Sequence, residues 1–143
     1  MSNRGVWLSV ALAVWLGCET AGSSGAESAG TPGAVQGEVH YEGNRQGPLK
    51  IAVFASFPPR GAPVAYQEFT APVFPQPFVV RGVPAGRYFV LAVLDVNQGD
   101  GDRFRPAVDP GGASGSLTAP MPITVDAIGG FTGVRIDLLD PGD

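Results

Sequence analysis

The sequence predicts an all-β protein, an antiparallel β-sandwich of about seven short strands, and three observations carry that expectation. From Val35 onward, apolar and polar residues alternate with the two-residue period of strands that have one wet face. Glycine and proline, 21 and 14 of 143 residues, punctuate the chain too often for long helices. Hydrophobic residues still make up 44% of it, enough for one modest core.

Each element can be justified in turn. Residues 35–42, VQGEVHYE, set Val35, Val39 and Tyr41 on one face and Gln36, Glu38, His40 and Glu42 on the other. After the turn residues GNRQGP, residues 49–57 are apolar on both faces beyond Lys50, which predicts a central strand. Pro58, Pro59, Gly61 and Pro63 end it, and residues 64–69 are expected as a short edge strand. Pro72, Pro75 and Pro77 argue against a regular ladder before residues 78–81, because proline donates no backbone hydrogen bond.

Val83-Pro84-Ala85-Gly86 reads as a type II-like turn, with Pro84 fixing one dihedral and Gly86 available for positive φ. Residues 87–95 then place Tyr88, Val90, Ala92 and Leu94 on one face and Phe89, Leu91 and Val93 on the other, the pattern of a strand buried on both sides. Residues 122–125 form a further short strand. Residues 131–139 alternate Val134, Ile136 and Leu138 against Arg135 and Asp137 and close the domain as a half-exposed strand.

Before the first strand, residues 6–17, VWLSVALAVWLG, form an apolar run shorter than the roughly 20 residues of a spanning helix. With Arg4 ahead of it, this run reads as the core of a signal peptide. It ends at Cys18, the single cysteine. Residues 19–34, ETAGSSGAESAGTPGA, are small, polar and aperiodic; as a flexible tether they would span about 20 Å. The expected organisation is a signal peptide at 1–17, Cys18 and a linker to residue 34, and a sandwich domain over 35–140.

The Leu16-Gly17-Cys18 ending resembles the lipobox of bacterial lipoproteins, with Trp15 where Leu is customary. The resemblance implies lipidation of Cys18 and a module anchored to a membrane without spanning it. Glu19 follows the cysteine rather than Asp, which permits placement at the outer membrane; a periplasmic or secreted chain is the alternative. In the domain, G-E-V-x-Y at residues 37–41, F-x-V-x-x-V-P-A-G-x-Y-x-V at 78–90 and L-D-V-N at 94–97 resemble the carboxypeptidase regulatory-like, or prealbumin-like, β-sandwich modules of bacterial surface and periplasmic proteins. Such modules serve as spacers, stabilisers and ligand binders alike, so the resemblance implies a fold more than an activity.

The net charge of −4 and a single lysine, Lys50, argue against a nucleic-acid partner. An envelope protein or polysaccharide is the expected class of partner. The acidic loop offers one candidate ion site, with Asp95, Asn97, Asp100 and Asp102 as oxygen ligands for calcium, and Asp109 able to join them if the loop folds back. Its spacing is one residue longer than D-x-N-x-D-G, and Pro106 stands at the twelfth position, where an EF-hand needs an acid. The other reading of the run is a solvated turn balanced by Arg103 and Arg105.

Enzyme chemistry finds little support. His40 is the single histidine and lies on a polar strand face, and Glu38 and Glu42 there stand about 13 Å apart, too far for a concerted pair. Residues 112–116, GASGS, do not make a G-x-S-x-G elbow. The related hydroisourate hydrolases carry a histidine pair and a C-terminal Tyr-Arg-Gly-Ser that this chain lacks. The expectation is therefore a non-catalytic cell-envelope lipoprotein with a structural or binding role. The alternatives are a calcium-dependent surface-binding module and a secreted accessory domain of an enzyme.

Overall fold

The computed structural model describes residues 33–97 and 104–143. Among them all regular structure is strand. In order these are β1 (Ala34–Tyr41), β2 (Leu49–Phe54), β3 (Ala65–Phe69), β4 (Gln76–Arg81), β5 (Gly86–Leu94), β6 (Gly111–Ala113), β7 (Ile123–Val125) and β8 (Phe131–Leu138). One sheet has the order β4-β1-β8 and the other β3-β2-β5-β6, with β7 paired to the first residues of β5.

The two-residue period decides which side chains face inward. Val35, Val39, Phe78, Val80, Val134, Ile136 and Leu138 from the first sheet meet Leu49, Ile51, Val53, Tyr88, Val90, Ala92 and Leu94 from the second. Leu49, Ile51, Leu94 and Ile136 are completely buried, each worth about 1.5–3 kcal/mol over exposure to water. The layers are laced together along both sides. On one side, the Gln67 side chain of β3 accepts the Val79 N–H of edge strand β4 at 2.9 Å. On the other, Gly111 and Leu139 exchange backbone hydrogen bonds of 3.1 and 3.0 Å.

Glycine is required where backbones touch. A Cβ on Gly37 of β1 would sit 2.1 Å from the Val134 carbonyl oxygen of β8. The pairing register shifts beside that contact, between Val35 and Gly37, and Gly133 of β8 has φ 85. A Cβ on Gly112 would lie 2.5 Å from the Asp137 carbonyl oxygen, so β6 approaches β8 only as a glycine strand.

The structure departs from the sequence expectations in several places. The sheets are antiparallel throughout except at β1 and β8, which pair in parallel. Parallel neighbours need a crossover, and here the intervening chain supplies it, running through β2 and β3 of the second sheet, back to β4 of the first and out again through β5, β6 and β7. The strand β6, made of Gly111, Gly112 and Ala113, was not expected, because it has no apolar alternation to betray it. The ladder of β4 starts at Gln76, two residues earlier than the prolines suggest; Pro77 is tolerated because β4 is an edge strand. In the turn before β5, Gly86 takes the positive φ expected of it, 156, and Gly82, which the sequence did not single out, is left-handed as well at φ 79. Finally, β5 is central but buried on one face only: Phe89, Leu91 and Val93 remain partly exposed.

Candidate ligand-binding face and its flanking loop

The acidic loop leaves β5 at Asp95, whose N–H donates to the Pro48 carbonyl at 2.9 Å. Its Oδ1 accepts the Asn97 N–H at 3.1 Å, a local turn made by the side chain itself. Asn97 is exposed. Asp100 and Asp102, two of the four calcium ligands expected from the sequence, lie outside the described residues, as does Cys18. Among the described residues, no group of three or more acidic, histidine or cysteine side chains gathers in one place.

Asp109 does fold back, and its target is the backbone. The side chain is 3% exposed; Oδ1 accepts the Val96 N–H at 3.1 Å and Oδ2 accepts the Arg105 N–H at 2.9 Å. A carboxylate so buried is stable because each oxygen holds a charge-assisted hydrogen bond. The same turn is closed by the Asp109 and Val108 N–H groups donating to the Arg105 carbonyl, and the Arg45 guanidinium reaches the Val108 carbonyl at 2.5 Å. Asp109 thus latches the two limbs of the loop beside the end of β5.

The outer face of the three-stranded sheet is polar. His40 Nε2 stands 3.2 Å from Glu38, and Arg135 grips Asp137 with two bonds of 3.0 and 3.2 Å. The hydrogen bonds from Arg135 hold the Asp137 carboxyl below the ordinary aspartate range. In register, Glu38 lies opposite Arg135, so unlike charges face one another across the ladder, and His40 lies opposite Asp137. At the end of this sheet the Tyr41 hydroxyl donates to Asp140 at 2.8 Å, and its ring meets Phe74 edge-on with centroids 5.5 Å apart. Burial, then the bond to Asp140, push the Tyr41 hydroxyl above its usual pKa of 10.0.

The outer face of the larger sheet is different. Its outward residues are Lys50, Ala52 and Phe54 on β2, Phe89, Leu91 and Val93 on β5, and Tyr66 and Glu68 on β3. Ala52 lies between Leu91 and Tyr66, and so small a side chain between larger neighbours leaves a depression. Pro48, Pro59 and Phe104 raise its rim, making a slot of about 250 Å³. The Phe104 ring is seated over Gly111, where a Cβ would come within 2.9 Å of it. Three charged groups line the slot: Asp95, Glu68 and Lys50, with the last two 3.8 Å apart. The Lys50 ammonium also stands 5.6 Å from the centroid of the Tyr66 ring.

Sequence reasoning missed this face because it took β2 and β5 as covered on both sides. A signal was present: two strands apolar on both faces in an expected sandwich of two layers, where each strand has a single inward face. Fold and face together define a two-sheet all-β module with one charged outer surface and one apolar, slotted one. No family model matches the chain, and no curated protein or solved structure matches it at a significant level.

Proposed function

We propose that this chain is a non-catalytic binding module of the bacterial cell envelope, held at a membrane by lipid on Cys18 and engaging its partner through the outer face of β2 and β5. The carrying observation is that face: Ala52, Phe54, Leu91, Val93 and Phe104 form one apolar concavity on a sheet whose other side is the core. Among the described residues nothing covers it, and an apolar concavity edged by charge is the usual form of a recognition surface. The tethering part of the reading rests on the apolar run 6–17, on Cys18 at its end and on the small, polar residues after it. His40 sits on the opposite, charged surface beside Glu38, an arrangement that needs no chemistry to explain it.

A photo-crosslinking residue at position 91, with a second at 135 on the opposite face, tests the binding surface in intact cells. Adducts at 91 and none at 135 are expected; equal labelling would remove the argument for this face. Mass spectrometry of the mature N-terminus tests the anchor. Acylated Cys18 is expected, and an unmodified residue beyond Cys18 at the N-terminus would overturn it.

A further inference from the structure

Resting on the reading of Cys18 as a lipid anchor, we propose that the end of the sandwich at which the chain enters is a docking surface for anionic phospholipid, so that the module stands end-on at its own membrane. The register defines that end. Ala34 lies opposite Arg81, Val35 opposite Phe131 and Gly86 opposite Val125, so β1 begins beside the β4–β5 turn and the β7–β8 hairpin. The Val83 N–H donates to the Gly33 carbonyl at 2.8 Å and ties the entering chain to the first of these.

Charge separates this end from the other. Arg81 closes β4 and Arg87 is the second residue of β5; both are exposed, and the connection that leaves β2 opposite Phe89 carries a third exposed arginine, Arg60. Among the described residues none of the three guanidinium groups has an ion-pair partner, whereas Arg45 is paired with Asp140 and Arg135 with Asp137. Asp126, the one carboxylate in the described turns at this end, is engaged by its own hairpin: Oδ1 accepts the Ile128 N–H at 2.7 Å and the Gly129 N–H at 3.4 Å. At the opposite end Glu42, Asp95, Asp109, Asp140 and Asp143 outnumber Arg45 and Arg105. A chain of net charge −4 thus presents its basic end on the side of Cys18.

Ile128 supplies an apolar contact at the same end. It is 74% exposed on a hairpin that Asp126 and Gly130 close with two backbone hydrogen bonds of 3.0 Å, so the cost of ordering it is already met. An exposed apolar tip among unpaired arginines suits the boundary between headgroups and acyl chains. Each arginine held near an anionic lipid surface favours the docked state about fivefold. A tether spanning about 20 Å keeps the end within reach of the surface, and the charge decides which end faces it.

Tryptophan fluorescence on vesicles with brominated acyl chains tests this. In a full chain carrying Trp7→Phe and Trp15→Phe, either Ile128→Trp or, at the opposite end, Asn44→Trp is the sole indole. Protein recovered from membranes is placed on phosphatidylcholine vesicles with or without phosphatidylglycerol. Quenching is expected at 128 when phosphatidylglycerol is present, and at 44 in neither case. Arg81→Gln should lower the ratio of docked to free module about fivefold. Replacing Arg60, Arg81 and Arg87 together by glutamine, or raising salt to about 1 M, where screening acts within about 3 Å, should remove the quenching. Equal quenching at 128 and 44, or quenching at 128 that ignores phosphatidylglycerol, would overturn the proposal. An acylated protein unquenched at 128 loses the docking surface and keeps the anchor. If Cys18 is not acylated the anchor reading fails, and quenching at 128 by phosphatidylglycerol vesicles added in excess still decides the docking surface.

Discussion

The two outer faces of this sandwich obey the same alternation and end up as opposite surfaces. On β1 and β8 the outward positions are Gln36, Glu38, His40, Arg135 and Asp137, all polar, with Glu38 beside His40 and Arg135 bonded to Asp137. On β2 and β5 they are Lys50, Ala52, Phe54, Phe89, Leu91 and Val93, with a slot above Ala52. Period two specifies which side chains point away from the core. The identity of those outward residues specifies whether water is their partner. A charged ladder is complete as it stands; an apolar one leaves surface whose burial would still release free energy, about 25 cal/mol for every Å² covered.

Breaking the support of the apolar face should have the largest effect. Asp109→Ala removes the acceptor of two backbone amides beside that face and should cost about 2–3 kcal/mol, read as a lower Tm and faster amide exchange at Val96 and Arg105. Unchanged exchange at both amides would show that the latch is not needed. Next is Leu91→Gln, which should cost about 1 kcal/mol of half-buried apolar area and abolish crosslinking of partners from neighbouring positions. The reverse exchange, Arg135→Leu on the charged face, should not create binding there.

Tyr41→Phe, at the end of the polar sheet, should cost about 1 kcal/mol through the lost bond to Asp140. Because the folded-state pKa of Tyr41 is raised, its contribution is complete below the ordinary value of 10.0 and declines as pH rises through the folded value. The phenylalanine variant should lack that alkaline decline. Asp137 gives a smaller effect of opposite sense. Its depressed pKa contributes stability above the ordinary 3.8, lost as pH falls below that towards the folded value. The pair is exposed, so the measurable quantity is the carboxyl titration by NMR, which Arg135→Ala should return to the ordinary range.

The smallest expected effect is that of calcium. With Asp95 and Asp109 engaged by backbone amides, Tm should be the same with calcium and with chelator. A rise with calcium that Asp95→Ala removes would instead assign the loop a cation and set it apart from both faces.

The inward half of the fold was legible because it depends on alternation alone. Val35, Val39, Val134, Ile136 and Leu138 are buried as their spacing demands, and seven of the eight strands fall where the sequence places one. The pairing of β1 with β8 was not legible: a strand's pattern says which face is apolar and nothing about its neighbour. β6 escaped because Gly111 and Gly112 are chosen for the contacts their missing side chains allow, with Phe104 and with the backbone at Asp137. In the loop the spacing offers Asp95 as a calcium ligand, with Asp109 able to join it if the loop folds back; both carboxylates accept backbone amides, because oxygen donors suitable for a metal are equally suitable for amides. The slot was hidden in residues read as core.

The parallel pairing of β1 with β8 also has a mechanical meaning. Both strands start at one end of the module and finish at the other, about 26 Å away for eight residues. A force applied at residue 33, ahead of β1, and resisted at residue 139, beyond β8, would pull the two neighbours past each other along their length. The ladder between them would then carry the load in shear, its hydrogen bonds strained together rather than opened one after another.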